Sequence, residues 1–323
     1  MRNFRLIQQL LIAAIATFLM AAAGAQTFPG KPIRFIVPYP PGGGNDDVAR
    51  LIARKVSENT GATFIVENKA GASGMLAGEY VARAPADGYT IMIDHSGIAI
   101  NPALVPAMKF DVLKDLAPVV FAVTQSSMLI AHPSLPANSV AELIALAKAQ
   151  PGKLNWASPG NGSPQHIGME QFTRMAGLRI AHIPYKGGAP ATNALLSGEV
   201  HLLISGTTGL PAVKAGKAKL LATTGPVRSA ALPGTPTVDE SGLKGYELMN
   251  WQGIFAPAQT PAPAILWLNT EIARALKSPD VTQVLREKNY EVVAGSADAL
   301  GKELRQSVAQ YAKIVKEAGI LPD

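Results

Sequence analysis

The chain has 323 residues, a formal charge of +6 and no cysteine. The missing cysteine excludes disulfides, thiolate metal sites, a cysteine nucleophile and lipid attachment through an N-terminal cysteine. Lysine and arginine are scattered and form no run, which favours a solvated surface over a nucleic-acid interface.

Residues 1–5 carry Arg2 and Arg5, an apolar run spans 10–20, and small residues follow with Ala23 and Ala25 at the A-x-A positions. This order reads as a secretory signal peptide, residues 1–25, cleaved near Ala25. Gln8 and Gln9 leave the run short of the ~20 residues a membrane anchor needs. Removing Arg2 and Arg5 takes two charges from +6 and leaves the mature chain at +4. Export to the periplasm is the expectation, and a chain of about 300 residues buries enough surface to fold without disulfides.

Strand-like runs are expected at 33–37, 63–67 and 90–93, with helices at 46–59 and 74–84 between them. That alternation predicts a parallel sheet covered on both faces. Two more strands are expected at 119–123 and 128–132, split by Thr124-Gln125-Ser126-Ser127, a stretch suited to a crossing strand or a hinge. A second series follows: helix 139–150 capped by Ser139, strand 154–157, helix 164–176, strand 180–183, helix 189–196, strand 201–204, a short helix 211–215 and strand 220–223. Residues 225–245 are rich in Pro and Gly and read as a connection, followed by a strand at 254–256. The end is helical over 263–277, 280–289 and 297–319. The fold class is α/β, with two lobes: 26–124 plus 225–323, and 125–224.

Polar glycine loops recur where strands give way to helices. Tyr39-Pro40-Pro41-Gly42-Gly43-Gly44-Asn45-Asp46 lies between the first strand and helix. A helix start with exposed backbone N–H groups favours a carboxylate or phosphate. As a plain turn, the same glycines would only supply positive φ. The second lobe repeats the pattern in Ser158-Pro159-Gly160-Asn161-Gly162-Ser163-Pro164, with Ser163 as N-cap and Pro164 in the first turn. Asp94-His95-Ser96-Gly97 and Pro184-Tyr185-Lys186-Gly187-Gly188 occupy equivalent places. Loops at the carboxyl ends of strands in two lobes predict a cleft between them. Lys186 either neutralises a ligand anion or stands on the surface. Tyr185 and Trp251 read mainly as packing residues, and His166 either faces the cleft or is an ordinary hydrogen-bonded histidine.

Catalytic patterns are missing from the sequence. There is no G-x-S-x-G elbow, no H-E-x-x-H and no P-loop, and the five histidines are widely separated. No metal and no cofactor are expected. A hydrolase using Ser163 or Ser96 is the competing reading, and a ligand-presenting sensor is a third.

Several segments together carry a family resemblance: the triple-glycine loop, Val66-Glu67-Asn68-Lys69-Ala70-Gly71-Ala72-Ser73-Gly74, Ala84-Pro85-Ala86-Asp87-Gly88-Tyr89, Pro159-Gly160-Asn161-Gly162-Ser163-Pro164-Gln165-His166 and His182-Ile183-Pro184-Tyr185-Lys186-Gly187. In this order the chain resembles the extracytoplasmic solute receptors of tripartite tricarboxylate transporters, the Bug family, over nearly its whole mature length. The resemblance implies a type II periplasmic binding fold whose two lobes close on a small organic carboxylate. It implies delivery of the ligand to a two-subunit membrane permease; a monomer that acts without catalysis is the expectation. The resemblance places ligand contacts at Gly42, Gly43, Gly44, Asn45 and Asp46 and at Ser158, Gly160, Asn161, Gly162, Ser163 and His166; Tyr39, Tyr185, Lys186 and Ser205 are further candidate contacts. Ser96 and Gly97 would lie on the first-lobe rim. Ser205 stands where many relatives carry an aspartate, which argues against cationic and amino-acid ligands.

Overall fold

The computed structural model describes residues 28–105 and 108–320, so the expected signal peptide lies outside the described residues. The chain first lays down β1 (Ile33–Val37), α1 (Gly44–Thr60), β2 (Phe64–Asn68), α2 (Met75–Ala82), β3 (Thr90–His95) and α3 (Gly97–Leu104). It then crosses along β4 (Leu116–Ser126) into β5 (Met128–Ala131), α4 (Val140–Ala149), β6 (Asn155–Ser158), α5 (Pro164–Ala176), β7 (Ala181–Pro184), α6 (Gly188–Leu196), β8 (Leu202–Ser205), α7 (Leu210–Lys214) and β9 (Lys219–Thr223). It returns through β10 (Met249–Pro257), α8 (Ala262–Leu276), α9 (Pro279–Glu287), β11 (Glu291–Gly295) and α10 (Ala297–Ala318).

Two sheets result. The first runs β11-β4-β10-β3-β1-β2 and the second β7-β6-β8-β5-β9. In the first, β1 is parallel to β2 and β3, while β10 lies antiparallel between β3 and β4. In the second, β6 is parallel to β7 and β8, while β5 is antiparallel to β8 and β9. The run Ile33-Arg34-Phe35-Ile36-Val37 is apolar on both faces because helices cover both. Phe35 and Val37 pack with Ile52 of α1 and Leu268 and Ile272 of α8. Ile36 faces the other way, toward Ile98 of α3 and Leu300 and Leu304 of α10. Each of these side chains is almost fully buried, a burial worth ~1.5–3 kcal/mol apiece. In the second sheet, Trp156 packs with Leu143 and Phe172 on one face, and Ile130 and Leu203 pack with Leu195 on the other.

Local sequence explains the helix ends. Ser163 caps α5 by accepting from the His166 amide at 3.2 Å, Pro164 fills the first turn, and Gly177 ends the helix in the left-handed region. Ser139 and Ser296 cap α4 and α10 in the same way.

Four features differ from the sequence expectation. The polar stretch at 124–127 does not split the strand after 123: Thr124, Gln125 and Ser126 continue β4 by pairing with Trp251, Asn250 and Met249. The crossing narrows to Ser127, which is fully buried. The return crossing, expected at 225, comes after Leu248, since Val238, Leu243, Tyr246 and Leu248 belong to the second sheet's core. The helix α3 and the strand β11 are additions to the expected elements; Pro102 inside α3 disguises the first, and five residues between two helices leave little pattern for the second.

The two crossings run side by side. The Thr224 amide donates to the Ser127 carbonyl (2.9 Å), the Leu248 amide to the Thr224 carbonyl (2.8 Å), and the Gly225 amide to Ser126 Oγ (2.9 Å). Asn289 joins them from the α9–β11 turn, donating from Nδ2 to the Ser126 carbonyl at 2.9 Å and accepting from Ser229 Oγ at 2.6 Å.

Candidate ligand-binding cleft

A cavity of about 510 Å³ lies between the lobes. The first lobe contributes residues 39–45, Ser73, His95, Gly97, Asn101, 123–125, 250–252 and Tyr290; the second contributes 159–165, 186–190 and 203–208. Four helices begin at this wall, with Gly44 opening α1, Gly97 opening α3, Pro164 opening α5 and Gly188 opening α6. Helix starts offer unpaired N–H groups and the positive end of the helix dipole. Among the described residues of the wall, Lys186 is the one Lys, Arg, Asp or Glu, and it is exposed.

The first-lobe loop is braced from behind. Gly42 takes a left-handed φ of 81°, and its amide donates to Asp46 Oδ2 at 3.0 Å. Asp46 also accepts from Arg50 Nε (2.9 Å) and Asn68 Nδ2 (2.9 Å). Burial pushes the Asp46 carboxyl up, but the bonds from Arg50, Gly42 and Asn68 outweigh it and hold the group below the usual carboxylate range. Asp46 is thus a strut under the loop and does not line the cavity. Gly43, Gly44 and Asn45 do line it, and a Cβ on Gly44 would collide with the Tyr290 hydroxyl.

Tyr39 stacks on His95 with ring centroids 4.8 Å apart. Beneath them Asp94 is buried and accepts from the His95 amide at 2.7 Å. Burial pushes the Asp94 carboxyl up to about 7 and the His95 imidazole down to about 4. His95 is therefore neutral at pH 7, with Nδ1 accepting from the Gly97 amide at 2.8 Å. Ser96 is fully buried and donates to Asn250 Oδ1, so it orients a wall residue without reaching the wall.

The second-lobe loop follows the same plan. Gly160 and Gly162 take positive φ of 141° and 70°. Ser158 is fully buried under the loop, accepts from the Gly160 amide (3.2 Å) and lies 2.7 Å from His182 Nε2. His166 is buried, and its Nδ1 accepts from the Gly162 amide at 3.0 Å. The His182 ring stacks between Trp156 (4.1 Å) and His166 (4.2 Å), and burial, followed by the neighbouring His166, pushes His182 down to about 4. Asn161 and Ser163 reach the wall beside Gly160 and Gly162, as does Ser205, which is 3.3 Å from Thr208 Oγ1. Tyr185 turns away to donate to Glu199 Oε1 at 2.6 Å.

Of the expected contacts, then, Tyr39, Gly42, Gly43, Gly44, Asn45, Gly97, Gly160, Asn161, Gly162, Ser163, Lys186 and Ser205 line the cavity. Asp46, Ser96, Ser158, His166 and Tyr185 stand behind the wall, because each spends its polar atoms holding a loop or a neighbour. Trp251 lines the cavity while its Nε1 donates to Ser307 at 3.0 Å. Asn101, Gln125, Gln252, Thr207 and Tyr290 are wall residues that local sequence does not single out. The Ser163 hydroxyl is committed to its helix cap and His166 Nδ1 to Gly162, so they form no nucleophile–base pair. Ser158 and His182 are close enough to pair, but Ser158 is sealed from the cavity.

Residues 48–320 match the family described as the tripartite tricarboxylate transporter family receptor. The chain belongs to that family. As a member of this receptor family it binds a solute rather than transforming one. Solved structures agree over almost the whole chain. A Rhodopseudomonas palustris protein solved with adipate is 37% identical, with a TM-score of 0.85 over 92% of this chain and 100% of that one. The periplasmic binding protein BugD is 34% identical, with a TM-score of 0.82 over 92% of this receptor and 100% of BugD. MatC from Rhodopseudomonas palustris, solved with bound malate, is 29% identical, with a TM-score of 0.79 over 89% of this receptor and 100% of MatC. The fold is that of these two-lobed binding proteins.

Proposed function

We propose that this receptor captures a small organic dicarboxylate in the periplasm and delivers it to a two-subunit membrane permease of the tripartite tricarboxylate type. The observation that carries the reading is the pair of glycine loops on opposite walls, each opening a helix toward one cavity of about 510 Å³. Backbone N–H donors at helix starts hold a carboxylate through charge-assisted hydrogen bonds, with no buried cation that needs its own partner. Two such starts on facing lobes suit an acid with a carboxylate at each end. Among the described residues no aspartate or glutamate lines the wall to meet an ammonium group, and Ser205 stands where an acid would do so. The adipate and malate bound by two relatives are dicarboxylates and support the same reading. Closure of the lobes about the 126–127 and 248–249 crossings would bury the ligand. Export through the signal peptide at 1–25 completes the proposal.

A thermal-shift panel tests it. Adipate, malate, tricarboxylates, aromatic acids, amino acids and sugars are added singly to the purified mature protein. A dicarboxylate at 100 times its Kd should stabilise the fold by ~2.7 kcal/mol, a rise in melting temperature of several degrees. Stabilisation by sugars or cationic amino acids alone would sink the carboxylate reading.

A further inference from the structure

We infer that the acid this receptor captures carries a hydroxyl beside one carboxylate, read by Asn101 and Ser73 on the first-lobe wall. The inference deepens the dicarboxylate reading above and rests on it. Both residues line the cavity. Asn101 lies within α3, four residues after Gly97 and three before Leu104. That spacing puts the three on one face of the helix. Gly97 is at the cavity wall, and Leu104 packs where a Cβ on Gly162 would stand. Asn101 therefore stands between the first-lobe wall and the second-lobe glycine loop, level with the carbon chain of a ligand that spans the two.

Asn101 is 6% exposed, yet only half of its side-chain amide is used. Nδ2 donates to the Ser73 carbonyl at 3.1 Å. A carbonyl only accepts, so the nitrogen must face it and Oδ1 must point elsewhere. Among the described residues Oδ1 has no hydrogen-bond partner, and it is not sealed from solvent. An open acceptor on so buried a side chain carries a desolvation cost that a ligand donor offsets. Ser73 supplies the complementary group. Gly71, Ala72, Ser73 and Gly74 take positive φ of 141°, 48°, 52° and 88° in succession, and Ser73 stands exposed at the wall. Among the described residues its hydroxyl has no partner. Gly74 is pressed against the first-lobe loop, where a Cβ would lie 3.2 Å from the Tyr39 hydroxyl. The pair thus sits beside the carboxylate site of that loop. An alcohol suits it because an alcohol both donates, here to Asn101 Oδ1, and accepts, here from Ser73 Oγ. A methylene does neither and a ketone only accepts. An ammonium only donates, and among the described residues no Asp or Glu on the wall neutralises it.

Malate and succinate differ by one hydroxyl and share chain length and both carboxylates. Isothermal titration of the purified mature protein with each, and with adipate, tests the inference. One malate enantiomer should bind ~10-fold tighter than succinate. Ser73→Ala keeps the turn, since Ala72 already takes a φ of 48°, and keeps the carbonyl that holds Asn101. It should lower malate affinity several-fold and leave succinate unchanged. Asn101→Leu keeps a similar volume without an acceptor and should erase the preference, whatever it does to affinity in general. A merely structural Asn101 would shift both acids equally. Equal affinity of the parent for malate and succinate, a preference that survives both substitutions, or binding of adipate alone overturns the inference and leaves the dicarboxylate reading standing. Binding of none of the three acids removes that reading, and the hydroxyl with it. Should Asn101→Leu not fold, Ser73→Ala decides by the same ratio.

Discussion

Leu104, the last residue of α3 in the first lobe, packs into the space that a Cβ on Gly162 of the second lobe would occupy. Gly162 also has φ of 70°, so two independent constraints demand glycine there. The contact joins the C-terminal end of α3 to the loop that precedes α5, across from one lobe to the other.

Gly162→Ala should therefore harm binding more than folding. The left-handed backbone costs a non-glycine residue ~1–2 kcal/mol, and the added methyl pushes Leu104 away. Isothermal titration with a dicarboxylate should show at least a tenfold loss of affinity, and urea melts a loss of ~1–2 kcal/mol. Affinity equal to the parent would show that the Leu104 contact is incidental.

Gly44→Ala meets a different obstacle. Gly44 opens α1 and has no positive φ, so its backbone accepts alanine. The clash is with the Tyr290 hydroxyl alone; the next ring atom, Cζ, lies 3.7 Å from where the methyl would stand, an ordinary contact. Gly44→Ala should destabilise the protein, and adding Tyr290→Phe should recover most of that loss. Melting temperatures of the two singles and the double measure the recovery. A double variant less stable than Gly44→Ala would refute the steric account.

These glycine positions show what the sequence could and could not reveal. Strand, glycines and helix are legible in 33–60 because an apolar run, three glycines and the first-turn acids Asp46 and Asp47 follow in order. The bounds of α5 follow likewise from Ser163, Pro164 and Gly177. Which polar residues turn inward was not legible. Ser158 and His166 carry the same local signal as Asn161 and Ser163, yet their hydrogen bonds pull them under the loop. Gln252 and Tyr290 reach the wall through strand pairing and a turn about 200 residues from the loop they touch, and no local pattern reports such a contact.

Asp46→Asn tests the strut under the first loop. The carboxylate accepts from the Gly42 amide, Arg50 and Asn68; an amide keeps part of this set but loses the charge. Hydrogen bonds to a charged group contribute ~1.5–3 kcal/mol, and the half-exposed Arg50 lowers the share from that partner. The variant should lose ~1–2 kcal/mol of stability and several-fold in affinity, although the residue does not line the cavity. Because the folded-state pKa is depressed, this contribution is present above the unfolded value of 3.8 and fades as pH falls through the folded one. Parent and variant should therefore converge in acid, and a gap that does not narrow as pH falls below 3.8 would contradict the assignment.

Asp94 should give the opposite pH trend. Its folded pKa, about 7, exceeds the reference value of 3.8, so the folded state holds a proton that the unfolded chain releases between those limits. Its contribution is full below pH 3.8 and is lost as pH rises through about 7. Asp94→Asn keeps an oxygen acceptor for the His95 amide and abolishes the titration. The variant should gain on the parent as pH rises from 4 to 7, by at most ~1.4 kcal/mol per pH unit, and the difference should level off above that range. His95 and His182 titrate in both proteins, so subtracting the two stability curves isolates Asp94. A difference that stays flat across the window would mean that Asp94 is ionised in the fold and that the His95 amide and the surrounding polar groups suffice to hold its charge.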